Sequence, residues 1–187
     1  NLLGPFDFAH SGALGLMADA RWFDAAAVAE AGNVHPFQMQ SAFQFLRPTA
    51  PLAKAVTLFE RGMDPAFREG YDALEAWASD NIPFPAAAYR TYIEELYQKN
   101  ALVQGAHHAL GRKVDLSAVD CPVLTITASR DAICPPRSAL GLNEACSASS
   151  KAHLEVPGGH VGAVVGSKAQ RELYPVVTRF LLERAWN

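Results

Sequence analysis

The chain has 187 residues, half of them hydrophobic and 19% charged, with a net charge of −3. This length suits one domain, or one domain plus a lobe, and it can bury a real core. An acidic excess without any Lys/Arg run excludes nucleic acid as the main partner. No apolar stretch approaches the roughly 20 residues of a membrane-spanning helix, and NLLGPFDFAHSG at the start lacks the basic region and cleavage-like end of a signal peptide.

In chain order, residues 1–20 read as the tail of a strand followed by a turn at DFAHSG. From Gly12 to Gly111 the composition shifts to Ala, Leu and aromatics, punctuated by HP, RPTAP, DP and IPFP. Helical stripes recur there: Phe43 and Leu46; Leu52, Val56 and Phe59; Phe67, Tyr71, Leu74 and Trp77; then Tyr89, Tyr92, Ile93, Leu96 and Tyr97. This pattern predicts a lobe of short helices over residues 21–112, with no strand, and with Trp22, Trp77 and the tyrosines in its core. His107 and His108 fall at a predicted helix end, where sequence neighbours share no face and make no metal pair. His10, His35 and His153 read as turn or surface groups.

Residues 113–187 read as an α/β core. CPVLTITAS (Cys121 to Ser129) is an apolar β-branched run without alternation, the mark of a strand buried on both faces. A helix follows from Pro136 to Cys146, proline suiting its first turn. AHLEV is a second short strand, ended by the turn PGGH. The last helix starts at Tyr174, with Pro175 in its first turn and Val176, Val177, Phe180 and Leu181 facing the core. Strand, helix, strand, helix is the alternation of a parallel sheet.

Functional groups of such sheets gather at the carboxyl ends of the strands. Asp131 lies three residues past the first apolar strand and His160 four past the second, so both turns open on one edge. An aspartate there can accept a hydrogen bond from the imidazole, fixing its tautomer and stabilising its charged form. His160 is then a general base with its second nitrogen free for a nucleophile, and the surrounding glycines leave room for substrate. Each residue alone has an ordinary structural role, a packed imidazole or a capping carboxylate; their order and spacing together point to chemistry. Nucleophile, then Asp, then His is the order of the α/β-hydrolases, yet no G-x-S-x-G or G-x-C-x-G occurs in the chain. The three cysteines, Cys121, Cys134 and Cys146, form no C-x-x-C pair and read as reduced thiols. Cys134 sits near Asp131 on the wrong turn for a nucleophile, and a neighbouring carboxylate disfavours its thiolate. Cys121 is expected to be buried, and Cys146 to sit on the back of a helix.

The run DNIPFPAAAYRTYIEELYQKNALVQGAHHALGRKVDLSAVDCPVLTITASRDAICPP resembles the polyhydroxyalkanoate synthase family. The resemblance lies in D-N-I-P, L-Y-x-x-N-x-L, G-x-x-V-D-L, C-P-V-L and the D-x-I-x-P turn. HPFQMQSAFQFLRP and DFAHSG extend it toward the start, and PGGHVGAVVGSKAQRELYPVVTRFLLER is closest to the branch working with a second, non-catalytic subunit. The resemblance implies an α/β-hydrolase fold whose helical cap, roughly residues 21–112, covers the site. It implies a Cys-His-Asp mechanism in which a cysteine takes the (R)-3-hydroxyacyl group from coenzyme A, with His160 matching the family's histidine and Asp131 its aspartate. Ala132 departs from the family, where histidine usually follows that aspartate.

Coenzyme A is then part of the substrate, and no separate cofactor or metal is implied. The expected partners are an upstream part bearing the nucleophile, hydroxyacyl-CoA, the polymer granule, and either further copies of the chain or a second synthase subunit. The resemblance implies a cytoplasmic protein. With about two strands and a remnant, these residues are expected to be stable only when docked to the missing half or to another copy. An esterase or thioesterase on the same scaffold, and a non-catalytic subunit with a vestigial pair, are the competing readings.

Overall fold

The computed structural model describes residues 1–184. It divides into two compact units: residues 1–24 with Thr91 onward, and Ala25–Arg90.

In the first unit a short 3-10 turn, Phe8–His10, leads into α1 (Gly12–Met17). A π-helical stretch occupies Tyr92–Gln98. A small hairpin of β1 (His108–Ala109) and β2 (Arg112–Lys113) follows. Its first strand lies inside the stretch expected to hold no strand and its second crosses the end of it, and it places His108 on a hairpin strand rather than at a helix end. Its strands are two residues long, too short for a period-2 pattern to register.

The centre of this unit is β3 (Val123–Ala128), buried at every position as its unbroken apolar run requires. It pairs in parallel with β4 (Lys151–Val156), and α7 (Pro136–Ala145) makes the crossover. Leu2 forms a parallel bridge to Ile126 on the other side of β3. Mixed helix and parallel sheet make this an α/β arrangement. One face of β3, through Leu124, Ile126 and Ala128, packs with Leu3, Val156, Ala163 and Leu173. The other, through Val123, meets Leu116, Leu142, Cys146 and Ala148. Thr125 and Thr127 are fully buried on that second face; Thr125 Oγ1 donates to Asn143 Oδ1, and Thr127 Oγ1 lies 2.8 Å from His153 Nε2. β4 alternates, with Lys151, His153 and Glu155 exposed, so its polar face blunts the outer edge of the pair.

After β4 come α8 (His160–Val165), a π-helical stretch (Ala169–Leu173) and α9 (Tyr174–Leu182), with proline in the first turn of α9 as expected. Val176, Val177 and Phe180 pack on the core. Leu181 does not; it is exposed.

The second unit contains α2 (Ala25–Glu30), α3 (Pro36–Phe45), α4 (Ala50–Arg61), α5 (Pro65–Ser79) and most of α6 (Ala86–Thr91). Proline stands in the first turn of α3, α4 and α5, where its missing N–H leaves no bond unmade. Asp64 caps α5, accepting from Ala66 N and Phe67 N at 3.1 and 3.4 Å. Tyr89 and Ile93 of the last predicted stripe are buried, but the stripes on α3, α4 and α5 are helical without forming a core. Among the described residues none of α3, α4 or α5 is buried, and Leu52, Val56, Phe59 and Trp77 all face outward. Trp22, in the first unit, is exposed as well. Periodicity marks a face that wants cover without saying whether the chain itself supplies it.

Candidate active site at the ends of two parallel strands

The register of β3 and β4 sets the site. Ala128 stands opposite Val156, so both strands end level, and paired residues are 28 apart in sequence. Beyond the ends the backbones stay joined: Ser129 N donates to the Val156 carbonyl at 3.0 Å and Arg130 N to that of Gly158 at 2.8 Å. Gly158 N in turn donates to Ser129 Oγ at 3.4 Å. Gly158 holds φ +136°, a conformation essentially reserved for glycine. The chain turns there and lays His160 at the start of α8.

Asp131 and His160, 29 residues apart in sequence, meet directly. His160 Nδ1 lies 2.8 Å from Asp131 Oδ2. The other carboxylate oxygen, Oδ1, accepts from Ile133 N and Cys134 N, each at 2.9 Å. Asp131 therefore caps its own turn and holds the imidazole at the same time. Its side chain has 0% exposure while that of His160 has 31%. No hydrogen bond to His160 Nε2 is present among the described residues, which leaves that nitrogen for an outside partner.

Burial by itself would raise the Asp131 carboxyl. The hydrogen bond from His160 and the two backbone N–H groups outweigh it and hold the group below the ordinary aspartate value. An ionised, buried carboxylate on Nδ1 fixes the tautomer that leaves Nε2 as acceptor.

Cys134 bonds to this site through its backbone N–H. Its thiol is buried and its pKa is pushed up to about 12, by burial first and by the Asp131 charge second. It is a packing group, as its position implies. Cys146 is buried at the end of α7. Cys121 is exposed, contrary to the expectation of burial, because β3 begins two residues later than its apolar run. Among the described residues no cluster of His, Cys, Asp or Glu could hold a metal, and no helix is long and apolar enough to cross a membrane.

Several supporting groups gave little signal in the sequence. Ser129 and Gly158 act by joining the two turns, and Asp7 and Asn100 meet across 93 residues. Only the motifs D-F-x-x-x-G and L-Y-x-x-N-x-L pointed at the last two.

Comparison with known proteins places the chain. Residues 65–185 match the family model described as PHB de-polymerase C-terminus. The chain is 32% identical over 160 residues to the poly(3-hydroxyalkanoate) polymerase subunit PhaC of Thiocystis violacea, covering 85% of this chain and 45% of that protein. The subunit of the same name from Haloferax mediterranei is 30% identical, over 93% of this chain and 36% of its own length. That from Synechocystis sp. is 27% identical over 98% of this chain and 50% of its own. The chain thus spans half or less of each of these relatives. With 121 of its 187 residues matched by the model, it belongs to the PHB de-polymerase C-terminus family and is similar over most of its length to polyhydroxyalkanoate polymerase subunits.

Proposed function

We propose that this chain carries the acid–base half of an acyltransferase that polymerises (R)-3-hydroxyacyl groups from coenzyme A, on an α/β-hydrolase scaffold. The observation that carries the reading is the bond of 2.8 Å between His160 Nδ1 and Asp131 Oδ2, with Nε2 unengaged among the described residues. The similarity to polymerase subunits supports the substrate class. The nucleophile is a cysteine outside these 187 residues, in keeping with the chain's coverage of 45% of the Thiocystis relative.

In the first half-reaction Nε2 takes the proton of the cysteine thiol as its sulfur attacks the acyl carbonyl. The tetrahedral intermediate collapses, the carbonyl carbon's bond to the coenzyme A sulfur breaks, and the departing thiolate receives the proton from Nε2. In the second half-reaction Nε2 takes the proton of a 3-hydroxyl group, whose oxygen attacks a second acyl thioester and forms the ester link. The thiolate released in that step takes up the proton. Asp131 stabilises the imidazolium in both. With both oxygens committed and no side-chain exposure, Asp131 assists the substrate hydroxyl through His160 rather than by touching it. The growing polymer granule and a second subunit or further copies of the chain are the partners this reading brings, and the cytoplasm is its compartment.

A hydrolytic reading is favoured by one observation, the family description PHB de-polymerase C-terminus. The same Nε2 could activate water against an acyl-enzyme, with serine or cysteine as nucleophile. Incubating the full polypeptide with acyl-labelled (R)-3-hydroxybutyryl-CoA separates the two. Label in chloroform-soluble polymer supports the transferase; label recovered as free hydroxy acid, with none in polymer, supports the hydrolase.

A further inference from the structure

We propose that Asn100 is a positioning residue for the Asp131–His160 pair, acting through the turn at Asp7 and Phe8; this rests on reading that pair as the acid–base half of the site. Asn100 lies two residues past the π-helical stretch Tyr92–Gln98 with φ +50°, the left-handed region where a non-glycine residue is uncommon. Its side chain is used at both ends. Oδ1 accepts from Phe8 N at 2.8 Å and Nδ2 donates to Asp7 Oδ1 at 2.8 Å. Asp7 Oδ1 also accepts from Ala9 N at 3.1 Å, which closes the turn. Phe8 is buried, so its N–H depends on the Asn100 oxygen. The Phe8 ring packs edge-on against Tyr97 and Tyr92, with centroids 4.9 and 6.1 Å away.

The opposite side of the same turn is keyed to α7. Phe6 N and Asp7 N both donate to the Ser138 carbonyl at 3.0 Å. At Gly141, less than a turn further on, a Cβ would come within 2.7 Å of Asp7 Cβ and 2.8 Å of Asp7 N, so only glycine permits the approach. α7 starts at Pro136, directly after the turn that Asp131 caps through Ile133 N and Cys134 N. A continuous bonded path therefore runs from the Asn100 amide through Asp7 and Ser138 to the turn that aims Oδ2 at His160. Both ends of the amide are spent inside the protein, so Asn100 acts by fixing geometry rather than by holding substrate.

The test uses the full polypeptide with (R)-3-hydroxybutyryl-CoA, together with the downfield proton NMR signal of the His160 Nδ1–H bonded to Asp131. Asn100→Gly tolerates the left-handed backbone and removes both side-chain bonds. It should lower kcat about tenfold or more, leave KM within about twofold, and shift or broaden the downfield proton. Asn100→Asp sets two carboxylates against each other and should lose activity at least as far. An unchanged kcat and proton signal in Asn100→Gly, or a raised KM with kcat intact, would overturn the proposal. So would an Asn100→Asp variant that turns over at the wild-type rate. If His160→Ala remains active, the reading of the pair falls instead, and the proton signal still reports whether Asn100 governs the geometry of the pair.

Discussion

Asp131 divides its carboxylate between two tasks: Oδ2 meets His160 Nδ1 at 2.8 Å, and Oδ1 caps the turn that carries it through Ile133 N and Cys134 N. One side chain thus builds its own loop and aims the imidazole, and the two tasks can be separated by substitution. Asp131→Asn keeps an acceptor for the two N–H groups but cannot supply the charge. Turnover should fall on the order of 10³-fold or more with a modest change in melting temperature. Asp131→Ala should lose turnover as fully and also cost about 1–3 kcal/mol of stability, because the buried N–H groups are left unpaired. Steady-state assays and thermal melts of the two variants side by side check this.

Acid stability follows from the same group. Its pKa is lower folded than unfolded, so the unfolded chain binds the proton more readily. The stabilisation Asp131 provides is complete above the unfolded value near about 3.9. It is lost as pH falls through the depressed folded value. An acid titration followed by circular dichroism should show wild type losing stability across this window, and Asp131→Asn losing less over the same range. Parallel acid limbs would contradict it.

Gly158 ties the position of His160 to a backbone that side chains rarely adopt, φ +136°. Gly158→Ala should cost about 1–3 kcal/mol and lower kcat through displacement of the imidazole. Gly162→Ala, with open space around its Cβ and no positive φ, should be stable; melting curves of the two variants separate the effects.

The cysteines should differ sharply in reactivity. Iodoacetamide at pH 8 should label Cys121, which is exposed, and leave Cys134 and Cys146 unlabelled in the native protein. Cys134→Ala should leave turnover within about twofold, as peptide mapping and assay would show. Rapid native labelling of Cys134, or a large loss on its substitution, would contradict its role as packing.

The two apolar populations should also separate. Leu173→Ala, in the core behind β3, should cost about 2–5 kcal/mol. Phe59→Ser on α4, where the ring is 93% exposed, should change stability by less than about 0.5 kcal/mol. Denaturant melts of the two variants give the comparison.

The readable part of the fold was the part governed by local rules. β3 declared itself by a run with no polar alternation, α7 and α9 by proline at their first turns, and the meeting of Asp131 with His160 by how far each lies past its strand. The in-register ends at Ala128 and Val156 turned that spacing into contact. What the sequence withheld depends on distant partners. Phe59 and Trp77 follow helical periods but remain outside, since a period describes a face and not its cover. Cys121 is exposed because an apolar run can start before its strand does. The meeting of Asn100 with Asp7 spans 93 residues, beyond the reach of any local pattern.

His160→Ala in the full polypeptide is the most direct test of the acid–base assignment. Coenzyme A release from (R)-3-hydroxybutyryl-CoA should drop by about 10²–10⁴-fold while the melting temperature stays close to wild type. Release within twofold of wild type, in a variant that folds normally, would contradict the assignment of His160 as the base.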